Sequence, residues 1–119
     1  MLSRKDLGAQ GEQLAAGHLV RQGYRLLARN HRTPLGELDV IAQDGPEVVF
    51  VEVKTRLDDE SLPEESVNPR KVGRLARLAE AYLVSEGCDE SMWRIDVVAV
   101  VLDRRGQLRR LEHFKNAVY

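Results

Sequence analysis

Residues 38–54 read LDVIAQDGPEVVFVEVK and contain two apolar runs that are typical of β-strands. Charged residues interrupt both runs, Asp39 in the first and Glu52 and Lys54 in the second. Burying a charge without a partner is costly, so these side chains should meet one another or a bound ion. Two carboxylates and one ammonium group can hold a divalent cation and steady an attacked phosphate, which favours phosphodiester hydrolysis as the function.

The dipeptide Asp44-Gly45 between the two runs predicts a tight hairpin. A two-residue loop at this dipeptide pairs Gln43 with Pro46 and sets the register of both strands. Asp39 and Glu52 then become diagonal neighbours about 7 to 8 Å apart at the backbone, a span that one cation can bridge.

This register places Glu37, Asp39, Phe50 and Glu52 on one face of the hairpin. Three carboxylates around Lys54 repel one another, and a cation would relieve that repulsion. A shift of two residues would bring Asp39 directly opposite Glu52, whereas a shift of one would put them on opposite faces. The alternative to a metal site is a solvated sheet face on which Lys54 neutralises Glu52.

Residues 3–22 predict the first helix, because Ser3 opens an imperfect capping box and Gly23 suits a helix end. Interior glycines such as Gly11 weaken a helix, so close packing on a sheet or a function should explain them. Glu12 lies at the edge of this surface of small residues, where its carboxylate can extend past the packing layer. The alternative is an ordinary exposed glutamate.

The remaining segments predict three strands in succession, a second helix and two further strands. Their approximate bounds are strands at 24–32, 36–43 and 47–56, a helix at 69–86 capped by Asn68, a strand at 93–102 and an edge strand at 108–114. A strand, a helix and another strand imply a crossover. We therefore expect an α/β fold with a mixed sheet flanked by helices, in a single domain of residues 1–119.

Four basic residues, Arg70, Lys71, Arg74 and Arg77, concentrate in the first half of the second predicted helix. The helix macrodipole disfavours positive charge there, and a bound phosphate would offset the conflict. A solvated basic face is an equally weighted alternative. The net charge of -1 argues against a protein that coats nucleic acid through bulk charge alone.

Composition excludes several other classes of protein. Cys88 is the only cysteine of the sequence, so an internal disulfide and a cysteine-rich zinc module are excluded. The N-terminal residues include no apolar stretch of the length that a signal peptide or a membrane span requires, and we expect a cytoplasmic protein.

The histidines His18, His31 and His113 lack the spacing of a zinc site, and we expect them to be structural or exposed. Asp96 interrupts the apolar run of the fourth predicted strand. A hydrogen-bonded structural carboxylate is the favoured interpretation for it, and a supporting role beside the metal site is the alternative.

Several motifs of this chain together resemble the bacterial YraN-like family over nearly the whole sequence. They are Gly11-Glu12, Arg29-Asn30, GELDVI at 36–41, VFVEVKTR at 49–56, Lys71 and RIDVV at 94–98. That family is similar to the PD-(D/E)XK nuclease superfamily and to archaeal Holliday junction resolvases. The resemblance implies a restriction-endonuclease-like fold, with Asp39, Glu52 and Lys54 matching the nuclease signature and Glu12 matching an accessory carboxylate. Leu38 stands where the signature has proline, a replacement that the superfamily tolerates.

The mechanism expected from these residues depends on Mg²⁺ or Mn²⁺. Asp39, Glu52, the Val53 carbonyl and Glu12 would hold the ion, which would polarise the phosphodiester and lower the pKa of a bound water. Lys54 would orient that water or stabilise the charge that develops on the phosphate.

Arg56, Lys71 and Arg74 would contact the phosphates of a nucleic acid, DNA in the first place, with little reading of sequence. A homodimer would help to cover a duplex or a junction. Two alternatives stay open. One is a non-catalytic nucleic-acid-binding module that retains the fold, and the other is an interaction protein whose basic helix binds an acidic partner.

Overall fold

Two helices and five strands make up residues 2–59, 69–88 and 90–117, which the computed structural model describes without the side chains of residues 69–72. The elements are α1 Arg4–Arg21, β1 Arg25–Thr33, β2 Gly36–Asp44, β3 Glu47–Leu57, α2 Pro69–Ser85, β4 Met92–Leu102 and β5 Leu108–Phe114. Asn68, the predicted helix cap, lies outside the described residues. Neither described helix combines the length and the apolarity needed to cross a bilayer.

The five strands form one mixed sheet in the order β1-β2-β3-β4-β5. β3 and β4 are parallel along their whole length, from Glu47 opposite Met92 to Leu57 opposite Leu102, and the other neighbours are antiparallel. Parallel strands need a long connection, and α2 lies within it. The predicted α/β fold and its element order are confirmed.

Apolar side chains cover both faces of the sheet. On the face that we call the α1 face, residues of α1 pack on Val40, Ala42, Val49, Val51, Val98 and Val100. On the other, the α2 face, residues of α2 pack on Leu38, Ile41, Val48, Phe50 and Ile95. Strands covered on both sides explain why the sequence shows nearly continuous apolar runs there.

The ends of α1 agree with the sequence. The Asp6 N–H donates to Ser3 Oγ at 3.1 Å, and the Ser3 N–H donates to Asp6 Oδ2 at 3.3 Å, so the capping box is complete. Gly23 follows the helix with φ of +91°, a conformation that glycine adopts without a steric penalty.

The turn between β2 and β3 differs from the prediction. Asp44 pairs with Glu47, so the loop consists of Gly45 and Pro46 and not of Asp44-Gly45. The predicted loop would have placed Pro46 in the ladder, where proline has no N–H to donate. In the loop, Gly45 takes φ of +56° and the proline follows at negative φ, which matches a type II′ turn.

This turn shifts the register by two residues from the predicted pairing of Gln43 with Pro46. The β2–β3 ladder ends at Val40 opposite Val51, and the same register carried one step further sets Asp39 across from Glu52. β3 continues along β4 to Leu57 without β2 beside it. We call the point where β2 and β3 separate the fork.

The strict alternation of faces breaks at the fork. Leu38 and Ile41 both pack on the α2 face, while Val40 and Ala42 pack on the α1 face. Residues 38 and 41 would lie on opposite faces of a regular strand. The expectation that Asp39 shares one face with Phe50 is therefore wrong.

α1 lies very close to β3 at Gly11. A Cβ atom added to Gly11 would lie 1.9 Å from Thr55 Oγ1 and 2.9 Å from the Thr55 Cβ. Gly8 of the same helix has nothing within 4 Å of the corresponding position. Close packing therefore explains Gly11 but not Gly8.

We expect Gly11→Ala to lower the free energy of unfolding by about 1 to 3 kcal/mol, because overpacking against Thr55 outweighs the better helix propensity of alanine. Urea unfolding followed by circular dichroism measures this change. The matched control is Gly8→Ala, which should raise stability by up to about 1 kcal/mol. Equal effects of the two substitutions would contradict the packing explanation.

Candidate functional site

Three carboxylates from two elements converge at the fork. Glu12 of α1 and Glu37 and Asp39 of β2 each offer an oxygen, and these oxygens lie within 4.8 Å of one another. Oxygen ligands at about 2.0 to 2.6 Å from one cation lie within about 5 Å of each other, so the spacing and the oxygen donors suit Mg²⁺ or Mn²⁺. Glu12 of α1 thus lies beside Asp39 of β2.

Asp39 lies in the plane of the sheet. Its Oδ2 accepts a hydrogen bond from the Val53 N–H at 2.9 Å. Strand N–H groups point along the sheet toward a neighbouring strand, so the Asp39 carboxylate occupies the gap that opens where β2 leaves β3. The fork therefore both creates the space for Asp39 and supplies a donor to it.

Other negatively charged side chains surround the Asp39 carboxylate. Burial, together with the smaller effects of the charges of Glu52, Glu12 and Glu37, raises the pKa of Asp39 to about 7 against the opposing hydrogen bond from the Val53 N–H. The pKa of Glu12 is also raised, by burial and then by Glu37. A bound cation would reverse this repulsion, because it favours the ionised form of its ligands.

Glu52 and Lys54 belong to the other face of β3. Val51 and Val53 pack on the α1 face, so Glu52 and Lys54 alternate onto the α2 face. Even so, the charge of Glu52 raises the pKa of both Asp39 and Glu12. Glu12 and Asp39 thus lie close enough together to share one cation, and the charge of Glu52 acts on both.

Two arginines that the sequence pattern did not predict as site residues lie beside the carboxylates. Arg32 Nε lies 3.4 Å from Glu37 Oε2, with 82% of its side chain exposed. Arg29 lowers the pKa of Glu12, partly offsetting its burial, and donates to Gln13 Oε1 at 3.3 Å. Regular alternation would put residues 29 and 32 on opposite faces of β1, so the pattern alone could not place both beside the site.

The residues predicted to bind nucleic acid are only partly described. Arg56 is exposed on β3, two residues beyond Lys54. Arg74 is exposed on α2, one turn before Leu78, which packs against Gly36 at the start of β2. The side chain of Lys71 lies outside the described residues.

Asp96 belongs to a separate, fully satisfied network. Its carboxylate is buried and accepts from Arg94 Nε at 3.0 Å and from the Asn116 N–H at 2.9 Å. His113 Nε2 lies 2.8 Å from its other oxygen, and the Tyr24 hydroxyl lies 3.4 Å from the same oxygen. Burial raises the pKa of Asp96, but these hydrogen bonds, led by that of Arg94, lower it below its ordinary value. These contacts support the structural interpretation of Asp96.

Two of the three histidines adjoin this network. His18 Nε2 lies 3.1 Å from His113 Nδ1, and His113 contacts Asp96 through its other nitrogen. His31 instead packs edge-on against the Tyr82 ring, with 5.2 Å between centroids. These contacts agree with the structural roles expected for the histidines.

The sequence is similar to one group of proteins along nearly its whole length. The sequence model of the "Uncharacterised protein family UPF0102" matches residues 11–100. A UPF0102 protein of Pelotomaculum thermopropionicum is 50% identical over 116 residues, which cover 97% of each chain. A UPF0102 protein of Moorella thermoacetica is 47% identical over 117 residues, which cover 98% of each chain.

One solved structure shows a more distant likeness. SfsA of Pyrococcus furiosus, solved in complex with Ca²⁺, superposes with a TM-score of 0.43 and 19% identity, covering 96% of this chain and 65% of that one. A TM-score at this level carries no conclusion about function.

We expect Asp39→Asn to stabilise the metal-free protein at pH 8.5 by about 1 to 3 kcal/mol. The pKa of Asp39 rises from 3.8 to about 7 on folding, so the folded state binds the proton more tightly and loses stability as the pH rises between these values. The amide stays neutral and can still accept from the Val53 N–H. Urea unfolding with a chelator present, at pH 4 and at pH 8.5, measures the difference.

The gain should disappear near pH 4, where both forms of residue 39 are uncharged in the folded protein. Glu80→Gln, on the exposed surface of α2, is the control and should change stability by less than about 0.5 kcal/mol at either pH. An Asp39→Asn gain of the same size at both pH values would show that charge is not its source.

Proposed function

The chain belongs to the Uncharacterised protein family UPF0102, and from the geometry of its site we propose that it is a metal-dependent hydrolase of nucleic-acid phosphodiesters. One observation carries the proposal. Asp39 is held at the fork by the Val53 N–H beside Glu12 and Glu37, and the charge of Glu52 acts on the same point. Concentrated carboxylates with raised pKa values are typical of sites that bind a divalent cation.

The ion would be Mg²⁺ or Mn²⁺, since hard oxygen donors make up the cluster. Asp39, Glu12 and Glu37 supply carboxylates, and Glu52 approaches from the other face of β3. The carbonyl of a strand residue points to the same edge as its N–H, so the Val53 carbonyl also faces the fork as a further ligand. When bound, the ion would polarise the phosphodiester and lower the pKa of a water molecule.

Lys54 supplies the positive charge that acts on the substrate. It lies two residues after Glu52 on the same face of β3, so its ammonium group approaches the fork beside that carboxylate. There it would stabilise the negative charge that grows on the attacked phosphate, or orient the attacking water. It differs in role from the carboxylates, which hold the metal.

Exposed arginines around the fork would hold the phosphate backbone. Arg29 and Arg32 of β1 border the carboxylates, and Arg56 and Arg74 are exposed arginines that the sequence predicted to bind phosphate. Lys71 is the lysine predicted to join them. Such contacts bind without reading the sequence of bases. DNA is the proposed polymer, and a homodimer would extend the binding surface along a duplex or a branched substrate.

We expect Lys54→Ala to slow cleavage by about 10²- to 10³-fold and to change Mn²⁺ affinity by less than about threefold, because Lys54 acts on the substrate and not on the ion. Single-stranded, duplex, flap and four-way-junction DNA, and RNA, are incubated with Mg²⁺ or Mn²⁺, and products are separated on denaturing gels. Lys5→Ala, in the exposed first turn of α1, is the control and should cleave normally.

The competing function is a nucleic-acid-binding module without turnover. If the natural protein and Asp39→Ala bind these substrates and neither cuts any of them, the hydrolase proposal fails and the binding module stands. A protein that binds an acidic partner would instead show no salt-sensitive affinity for any of these nucleic acids.

We expect Arg32→Gln to lower the slope of log affinity against log salt by about one, the loss of one phosphate contact, with all DNA sequences affected alike. Fluorescence anisotropy with a labelled duplex, without divalent cation, measures the slope. Arg110→Gln is the matched control, because Arg110 also pairs with a glutamate, Glu112, but lies on β5 at the opposite edge of the sheet. Equal losses from both substitutions would contradict a DNA path along β1.

A further inference from the structure

Asn30, in the middle of β1, has an unusual backbone conformation. Its φ is +51°, and among the described non-glycine residues only Asn116, with φ of +52°, also has a positive φ. Residues with a Cβ atom adopt this left-handed region at an energetic cost, and strands normally avoid it. Such a conformation persists where surrounding structure holds it, often at functional sites.

The distortion of β1 faces the distortion of β2. Arg29 pairs with Val40 and His31 pairs with Leu38, so the intervening Asn30 lies opposite Asp39. Ala28 packs with the α2-face cluster, and His31 packs on Tyr82 of α2, although regular alternation would separate residues 28 and 31. The alternation of side chains between the two faces is therefore interrupted in both strands at the same point, next to the fork.

The side chain of Asn30 joins two of the three carboxylates. With the amide oriented so that its nitrogen, and not its oxygen, faces the two carboxylates, the nitrogen donates to Glu12 Oε1 at 2.9 Å and to Glu37 Oε1 at 3.0 Å. One carboxylate comes from α1 and the other from β2, so a single amide group connects the helix to the sheet through the site. Its two hydrogen atoms match the two acceptors.

We propose that Asn30 is a positioning residue, whose side-chain amide holds the Glu12 and Glu37 carboxylates at the spacing that a divalent cation needs beside Asp39. The inference rests on the metal site of the proposed function. It explains why β1 keeps a strained conformation, since the left-handed backbone directs the amide to the α1 face.

An uncharged donor suits this position. Without the amide, two like-charged carboxylates would separate, and Glu37 has room to do so because 36% of its side chain is exposed. A lysine or arginine would hold them but would also neutralise the charge that attracts the cation. An amide donates hydrogen bonds without a net charge, and a carboxylate oxygen that accepts one retains a lone pair for a metal ion.

The test is Asn30→Gly, which removes the amide and permits the positive φ. Isothermal titration with Mn²⁺ alone should show affinity about 10- to 100-fold weaker than that of the natural protein, the usual effect of losing a group that orients a metal ligand. Cooperative thermal unfolding confirms that the variant is folded. Asn116→Gly is the matched control, because it makes the same change at the same φ and keeps the main-chain N–H that donates to Asp96.

We expect Asn116→Gly to bind Mn²⁺ as the natural protein does. If Asn30→Gly unfolds at a lower temperature but binds Mn²⁺ normally, Asn30 is only structural and the inference is overturned, while the proposed function stands. If the natural protein binds no Mn²⁺, the inference and the metal-dependent hydrolase fail together. Cleavage need not be measured for either decision.

Discussion

The hydrogen bond from the Val53 N–H to Asp39 Oδ2, 2.9 Å long, is the contact on which the organisation of the fork depends. Where β2 stops pairing with β3, the Val53 N–H loses its strand partner and needs another acceptor, because a buried N–H without an acceptor is costly. Asp39 supplies that acceptor. The same bond therefore ends a ladder, retains a carboxylate inside the sheet and brings it within reach of charges from both faces.

A buried carboxylate, Asp96, and a half-buried one, Asp39, show that burial alone does not define a site. Asp96 is buried, yet hydrogen bonds and the Arg94 guanidinium lower its pKa. Asp39 has a raised pKa because like charges from Glu52, Glu12 and Glu37 add to its burial. The first group is stable as an anion without further partners, whereas the second gains from any cation that binds. The distinction lies in the partners that each carboxylate meets.

The sequence predicted the elements well because their signals are local. Continuous apolar runs, a capping box and glycines at helix ends placed all seven elements close to their observed bounds. The predicted turn was wrong. Asp44-Gly45 is a strong local signal for a hairpin loop, but that loop would have put Pro46, which has no N–H, into the ladder. The breaks of alternation near Asn30 and Asp39 had no local signal, since each strand is distorted to suit the other. The sequence could place Glu12 at the edge of a surface of small residues. The positions of Arg29, Asn30 and Arg32 beside the site could not be predicted, because they depend on the breaks of alternation.

The contact between Gly11 and Thr55 has a consequence for the neighbouring Glu12. At Gly11 the backbone of α1 packs directly on the Thr55 side chain, and this contact sets the height of the helix above the sheet. A glutamate side chain is only a few bonds long, and its span must match that height for the carboxylate to lie level with Asp39. Because Gly11 has no Cβ atom, α1 can lie close to the sheet, and this closeness determines how near the Glu12 carboxylate comes to Asp39.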